Sequence, residues 1–175
     1  MKQLLILAAF LISIIYLSCS EKDDTKPPVK GNVELFLLKS FNINEGDHQI
    51  EESTIVLDDE AFLTYEDLLS YNSKTFTFKI PDNKKDLFAI NGNTIHFKAF
   101  AVMANSELVY TGYFWPEYSS QGVNWTVISP ILAEVTGQLQ VRLGYPGMLI
   151  EDPIDDRRND SRIVDIFKRD SKLIE

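Results

Sequence analysis

One cysteine, two histidines and a shortage of positive charge set the first limits on this 175-residue chain. A single cysteine excludes an internal disulfide, so Cys19 needs another explanation. His96 falls in a strand pattern and reads as a core or sheet-face residue, while His48 sits in a polar loop with Glu45, Asp47 and Glu51. Nothing in that spacing fixes a converging set of metal ligands. A net charge of −9 argues against nucleic acid and against electrostatic binding to anionic lipid. No glycine-rich phosphate loop occurs, no serine lies in a Gly-x-Ser-x-Gly turn, and Ser119-Ser120 has no histidine partner in the pattern. Asp152, Asp155, Asp156, Asn159 and Asp160 do not have the spacing of an EF-hand loop, and Arg157 and Arg158 neutralise part of their charge. No cofactor, metal or catalytic residue is therefore assigned.

What is present begins with an address. Leu4 to Leu17 is an apolar run broken only by Ser13, and Ser18-Cys19 follows at once. The run is shorter than the ~20 residues of a comfortable membrane span and matches a secretory h-region of ~7–15. It resembles a bacterial lipoprotein signal, in which the cysteine is lipidated and becomes the mature N-terminus. Tyr16 departs from the aliphatic residue usual in that motif, and Bacteroidetes-type lipoproteins, which this start resembles, are looser there. Residues 1–18 are expected to be the signal peptide. Residues 19–32 are expected to be the lipidated cysteine and a flexible tether, polar, charged and proline-bearing. Lys22-Asp23-Asp24 resembles the lysine–acidic export signal of surface lipoproteins in that phylum.

Residues 33–175, in a chain with 45% apolar residues, are enough for one domain with its own core. The stretch Thr94–Pro130 dominates them. It holds both tryptophans, Trp115 and Trp125, with Tyr110, Tyr113, Phe114 and Tyr118 between or beside them. Ile95, Phe97, Ala99, Ala101 and Met103 fall on one face at a period of two, with Phe100 and Val102 on the other. The reading places Phe97, Ala99 and Ala101 toward the core, so that Phe97→Ala is predicted to cost ~3–5 kcal/mol. Asn105-Ser106 reads as a two-residue turn, and Pro116 ends the returning strand at Trp115. The loop from Glu117 to Asn124 is then a surface loop and a contact surface.

Elsewhere, strands are predicted over Val33–Phe41, Thr54–Leu57, Lys74–Ile80, Trp125–Ile128 and Gln138–Tyr145, with a short one at Leu173-Ile174. Thr64 and Asp67 form a capping-box pattern, and Asp82–Ile90 reads as a helical turn ended by Asn91-Gly92. Asp160 or Ser161 caps a helix whose Ile163, Ile166 and Phe167 make an apolar stripe.

The runs Tyr65–Tyr71, Phe76-Thr-Phe78 and Tyr110–Pro116 with Ser119-Ser120, and the ending from Arg158 through Ile174, resemble a small β-rich module of flavobacterial-type lipoproteins. The resemblance covers most of residues 33–175. It implies surface placement and carries over no functional residue.

These observations converge on a mainly β protein: a single antiparallel, sandwich-like domain with short helical turns and a C-terminal helix. The expected function is a non-enzymatic binding or interaction module, lipid-anchored to the outer membrane. Its partners are the membrane, through the N-terminal lipid, and a protein or glycan met by Tyr113, Trp115 and Tyr118. The alternatives are an envelope hydrolase or accessory with a carboxylate-based site, or a structural subunit of a surface complex.

Overall fold

A computed structural model of the chain describes residues 30–44, 48–89, 95–147 and 153–175. The proposed signal peptide, Cys19, most of the tether and the Asn91-Gly92 turn lie outside the described residues.

Among the described residues nine strands form the frame: β1 (Val33–Ser40), β2 (Val56–Leu57), β3 (Ser70–Asn72), β4 (Thr77–Lys79), β5 (Ala99–Ala104), β6 (Glu107–Phe114), β7 (Val123–Ile128), β8 (Gln138–Tyr145) and β9 (Leu173–Ile174). They hydrogen-bond in the order β2-β1-β5-β6-β7-β8-β4-β3-β9. The pairs β6/β7 and β3/β9 are parallel and the rest antiparallel. Among the described residues two α-helices interrupt them, α1 (Pro130–Thr136) and α2 (Ser161–Arg169), together with three 3-10 segments.

Registry sorts the side chains onto two faces, because neighbours along a strand point opposite ways. The first face carries Val33, Leu35, Phe100, Val102, Tyr110, Phe114, Ile128, Leu139, Phe78 and Tyr71, all buried. Phe88, Ala133 and the α2 stripe of Ile163, Ile166 and Phe167 complete that cluster. The buried Tyr110 of β6 and Tyr71 of β3 belong to this one cluster although three strands separate them in the order. Burial raises the pKa of both phenols above the usual tyrosine value. The second face carries a smaller cluster of Ile50, Ala99, Tyr113, Trp115, Val123 and Val127.

This sorting corrects the reading of the hairpin. Phe100 and Val102, not Phe97 and Ala99, face the main core. Phe97 lies before β5, in a turn with φ +65°, and is 48% exposed. Ala99 and Ala101 are buried nonetheless, since the second face is covered too. Asn105 and Ser106 do form the turn, both with positive φ, which is the two-residue geometry that suits the twist of paired strands. Gly112 permits the close packing at the centre: a Cβ there would lie 2.5 Å from Phe100 Cζ and 2.6 Å from the Thr126 carbonyl oxygen.

The segment before α2 joins the two sides of the main core. A bulge leaves Val109 without a cross-strand partner opposite Val102–Met103. Arg157 Nη1 donates to the Val109 carbonyl at 2.6 Å, and Arg162 Nη1 to that of Leu108 at 3.3 Å. Arg157 also forks onto Glu52 at 3.0 and 2.8 Å. On the other side, Arg158 reaches the Val141 carbonyl, Tyr71 donates to the Arg158 carbonyl at 2.7 Å, and Asn159 Nδ2 donates to the Ser73 carbonyl. Strand carbonyls freed by the bulge thus find arginine donors, as buried backbone groups must find partners.

Two elements escaped the sequence reading. β3 contains only one apolar residue, Tyr71. α1 begins with Ser129 Oγ accepting from Leu132 N and Pro130 in its first turn, and ends at Gly137 with φ +65°. Those are cap residues in the positions a helix prefers, and they were the available signal.

Candidate functional site

The end of the sheet beyond Ala99 and Phe114 gathers aromatic rings around one turn and one loop. The turn is closed by Lys98 N donating to the Ile95 carbonyl at 3.0 Å and is tied to β6 by Phe97 N to the Phe114 carbonyl at 2.7 Å. The loop begins as Trp115 N donates to the Ile128 carbonyl at 2.9 Å. Trp115 Nε1 reaches across the loop to the Gln121 carbonyl at 3.2 Å, and Tyr145 Oη donates to the Glu117 carbonyl at 2.6 Å. Ser129 Oγ donates to Glu117 Oε2 at 2.5 Å. The loop is therefore held at its base on several sides, and Tyr118 projects from it.

Of the three residues singled out in the sequence, the structure brings Tyr113 and Trp115 together, with ring centroids 6.2 Å apart, but buries both. Tyr118 is 59% exposed. Its hydroxyl lies 2.7 Å from His96 Nδ1 and its ring stacks on the imidazole at 5.7 Å. His96 is buried, and its Nε2 has no hydrogen-bond partner among the described residues. Phe97, which the unbroken alternation from Ile95 to Met103 concealed, meets Trp115 edge-on at 5.0 Å. His48 also packs edge-on to Trp115, at 5.7 Å, and is itself exposed. Trp115 is the floor under the exposed Phe97 and His48, and the exposed Tyr118 stands beside them on His96, the neighbour of Phe97 in the chain.

The charged groups are arranged differently. Arg158 holds the Asp156 carboxyl below the usual carboxylate range by hydrogen bonding, Arg162 does the same for Asp160, and Arg169 together with Tyr65 holds Asp170 down to about 2. These carboxylates are stabilised as anions, the opposite of what a proton-donating general acid needs. Among the described residues, no group of three His, Cys, Asp or Glu side chains is placed to hold a metal ion.

A second concave region lies on the outer face of β8, β4, β3 and β9. It is a groove of ≈ 410 Å³ lined by hydroxyl and amide side chains. A hairpin, β3 and β4, and two strands distant from it in sequence, β8 and β9, build it, and the sequence reading gave no hint of it.

Comparison of the chain with protein-family models, with curated proteins and with solved structures finds no match.

Proposed function

We propose that this chain is a non-catalytic binding module, lipid-anchored through Cys19 to the outer membrane, that presents its aromatic end to a protein partner. The observation carrying this reading is the placement of two opposite ends. The tether enters at Gly31 and Asn32, where Arg169 Nη1 donates to the Gly31 carbonyl and Asn105 N to the Asn32 carbonyl. Val33 then pairs with Ala104, the last residue of β5. The aromatic turn precedes Ala99, the first residue of β5. The six residues of β5 span about 20 Å at ~3.3 Å each. The exposed rings therefore sit at the end of the sheet farther from the tether.

Backbone strain adds to the argument. A bulky residue in the left-handed region costs roughly 1–2 kcal/mol, which glycine would avoid. Phe97 occupies that region and still leaves half its ring in solvent. Strain retained at an exposed aromatic points to a role for the ring outside the fold. Exposed aromatic anchors over a packed floor are the composition found at the centre of protein interfaces. The lipoprotein-like start and the resemblance to surface lipoproteins support the location. The presence of Tyr110 and Tyr71 in one core cluster supports a sandwich-like folding of the sheet onto itself.

The test has two arms. Cys19→Ala should move the protein out of the membrane fraction and abolish labelling by a fatty-acid analogue; labelling that persists contradicts the anchor. A photo-crosslinking residue at position 118 should give a discrete protein adduct on intact cells that Phe97→Gly suppresses. No adduct from 118, or one indifferent to Phe97, contradicts the binding role.

A further inference from the structure

The groove on the outer face of β8, β4, β3 and β9 belongs to a different part of the molecule. Strand alternation explains its composition. Tyr71, Phe78 and Leu139 turn inward to the main core, so Ser70, Asn72, Thr77, Lys79, Gln138 and Gln140 turn outward. Cross-strand registry aligns Asn72, Thr77 and Gln140 in one row and Ser70, Lys79 and Gln138 in the next. Thr75 and the 48% exposed Ile174 close the ends.

Three features narrow what such a surface can hold. First, Lys79 is the sole charged lining residue, and its Nζ is turned to the Thr136 carbonyl at the C-terminus of α1, 2.5 Å away. The ammonium group is directed to the helix end, so the groups of the groove floor left to face a ligand are uncharged hydroxyls and amides. Second, part of the polar surface is without an internal partner. Thr75 and Thr77 hydroxyls bond each other at 3.0 Å, and Asn72 Oδ1 accepts from Lys74 N and Thr75 N at 3.0 Å. By contrast the Ser70 hydroxyl and the side-chain amides of Gln138 and Gln140 make no hydrogen bond within the described residues. Third, the volume of ≈ 410 Å³ falls in the range of about 300–1,000 Å³ typical of small-ligand sites.

We infer that this groove binds a neutral oligosaccharide. Side-chain amides and hydroxyls each donate and accept, which matches the alternating donors and acceptors of sugar hydroxyls. An anionic ligand would meet a protein of net charge −9 and a lysine already engaged. An apolar ligand would find Ile174 as the one hydrophobic side chain of the lining and would bury the hydroxyls and amides beside it. Rows of mixed amides and hydroxyls running across three strands suit a chain molecule lying along the face rather than a compact ligand in a deep hole.

The test is a titration followed by the side-chain amide resonances of Gln138 and Gln140. The probes are the neutral hexasaccharides of maltose, cellulose, laminarin, mannan and xylan type, with hexagalacturonate as the charged control. The expected result is a saturable shift of both amides with at least one neutral probe, unchanged by added salt. Gln140→Ala and Ser70→Ala should each weaken that binding by about tenfold, the loss of one good hydrogen-bonded contact, with unchanged melting. Phe97→Gly should leave it intact, which separates this site from the aromatic end. Absence of a shift with every neutral probe overturns the inference. So does salt-sensitive binding of hexagalacturonate alone, or binding that the groove variants do not weaken.

Discussion

The two parts of one hairpin use aromatic rings in opposite ways. Between Ala99 and Phe114 the rings of Phe100, Tyr110 and Phe114 are sealed, with Phe100 and Phe114 at 5.0 Å, and Gly112 is kept bare so that Phe100 can lie against it. A few residues beyond, Phe97 and Tyr118 stand half or more in solvent, and Phe97 does so in a strained backbone. Aromatic content was high across the whole stretch, so composition does not separate the two. What separates them is the ladder: where strand pairing continues, the ring is enclosed, and where it stops, the ring is free to be used by something else.

The comparison breaks first at the strand half. Phe114→Ala removes a fully buried ring that touches Phe62, Phe88 and Phe100, and should lower stability by ~3–5 kcal/mol in urea melts, against a typical total of ~5–15. Next comes the arginine that completes the bulged edge of β6. Arg157→Ala leaves Glu52 without its fork and Val109 without its donor. Because both side chains are about a quarter exposed, water relieves part of the loss, and a destabilisation of about 2 kcal/mol is expected by the same assay.

A smaller effect follows from pH. Asp67, Asp156 and Asp160 have pKa values lowered in the folded state. Each therefore adds stability that is present above the unfolded carboxyl value of ~3.9 and is lost as pH falls through the folded value. Melting temperature should fall below about pH 4, and less steeply in Asp156→Asn, which has one such group fewer. At the other limit Tyr65, Tyr71 and Tyr110 have raised values, so their contribution is present below ~10 and declines above it.

Much of the fold was legible because local and global preferences agree. The helix over Ser161–Arg169 has its Asp160 cap and its Ile163, Ile166 and Phe167 stripe buried as the spacing required. β8 is where the alternation placed it, and Thr64 N does donate to Asp67 Oδ2 at 3.0 Å, although the turn it caps is a short 3-10 segment. Phe97 was not legible. Apolar alternation runs unbroken through Ile95–Met103, and only the hydrogen bonds from Phe97 N and Phe114 N reveal that the chain turns before Ala99. β3 was hidden because its pairing with β4 and with the distant β9 creates it, not its own residues. The groove was hidden for the same reason: Ser70, Thr77 and Gln140 become neighbours only through registry. The rim of the aromatic end was half legible, since Tyr118 follows a proline that ends pairing, whereas Tyr113 and Trp115 are covered by a loop whose course no local pattern announces.

The central claim is that the far-end rings do not hold the fold together, and Phe97→Gly tests it most directly. Three terms compete. The substitution relieves roughly 1–2 kcal/mol of left-handed backbone strain, forfeits an edge-on ring contact with Trp115 of about 0.5–1.5 kcal/mol, and gives up the burial of the covered half of the ring, about 1 kcal/mol. Equilibrium urea unfolding should therefore show a midpoint that is unchanged or slightly lowered. A loss of more than about 2 kcal/mol, approaching that of a buried ring, would show that Phe97 is part of the core after all and contradict its assignment to a binding surface.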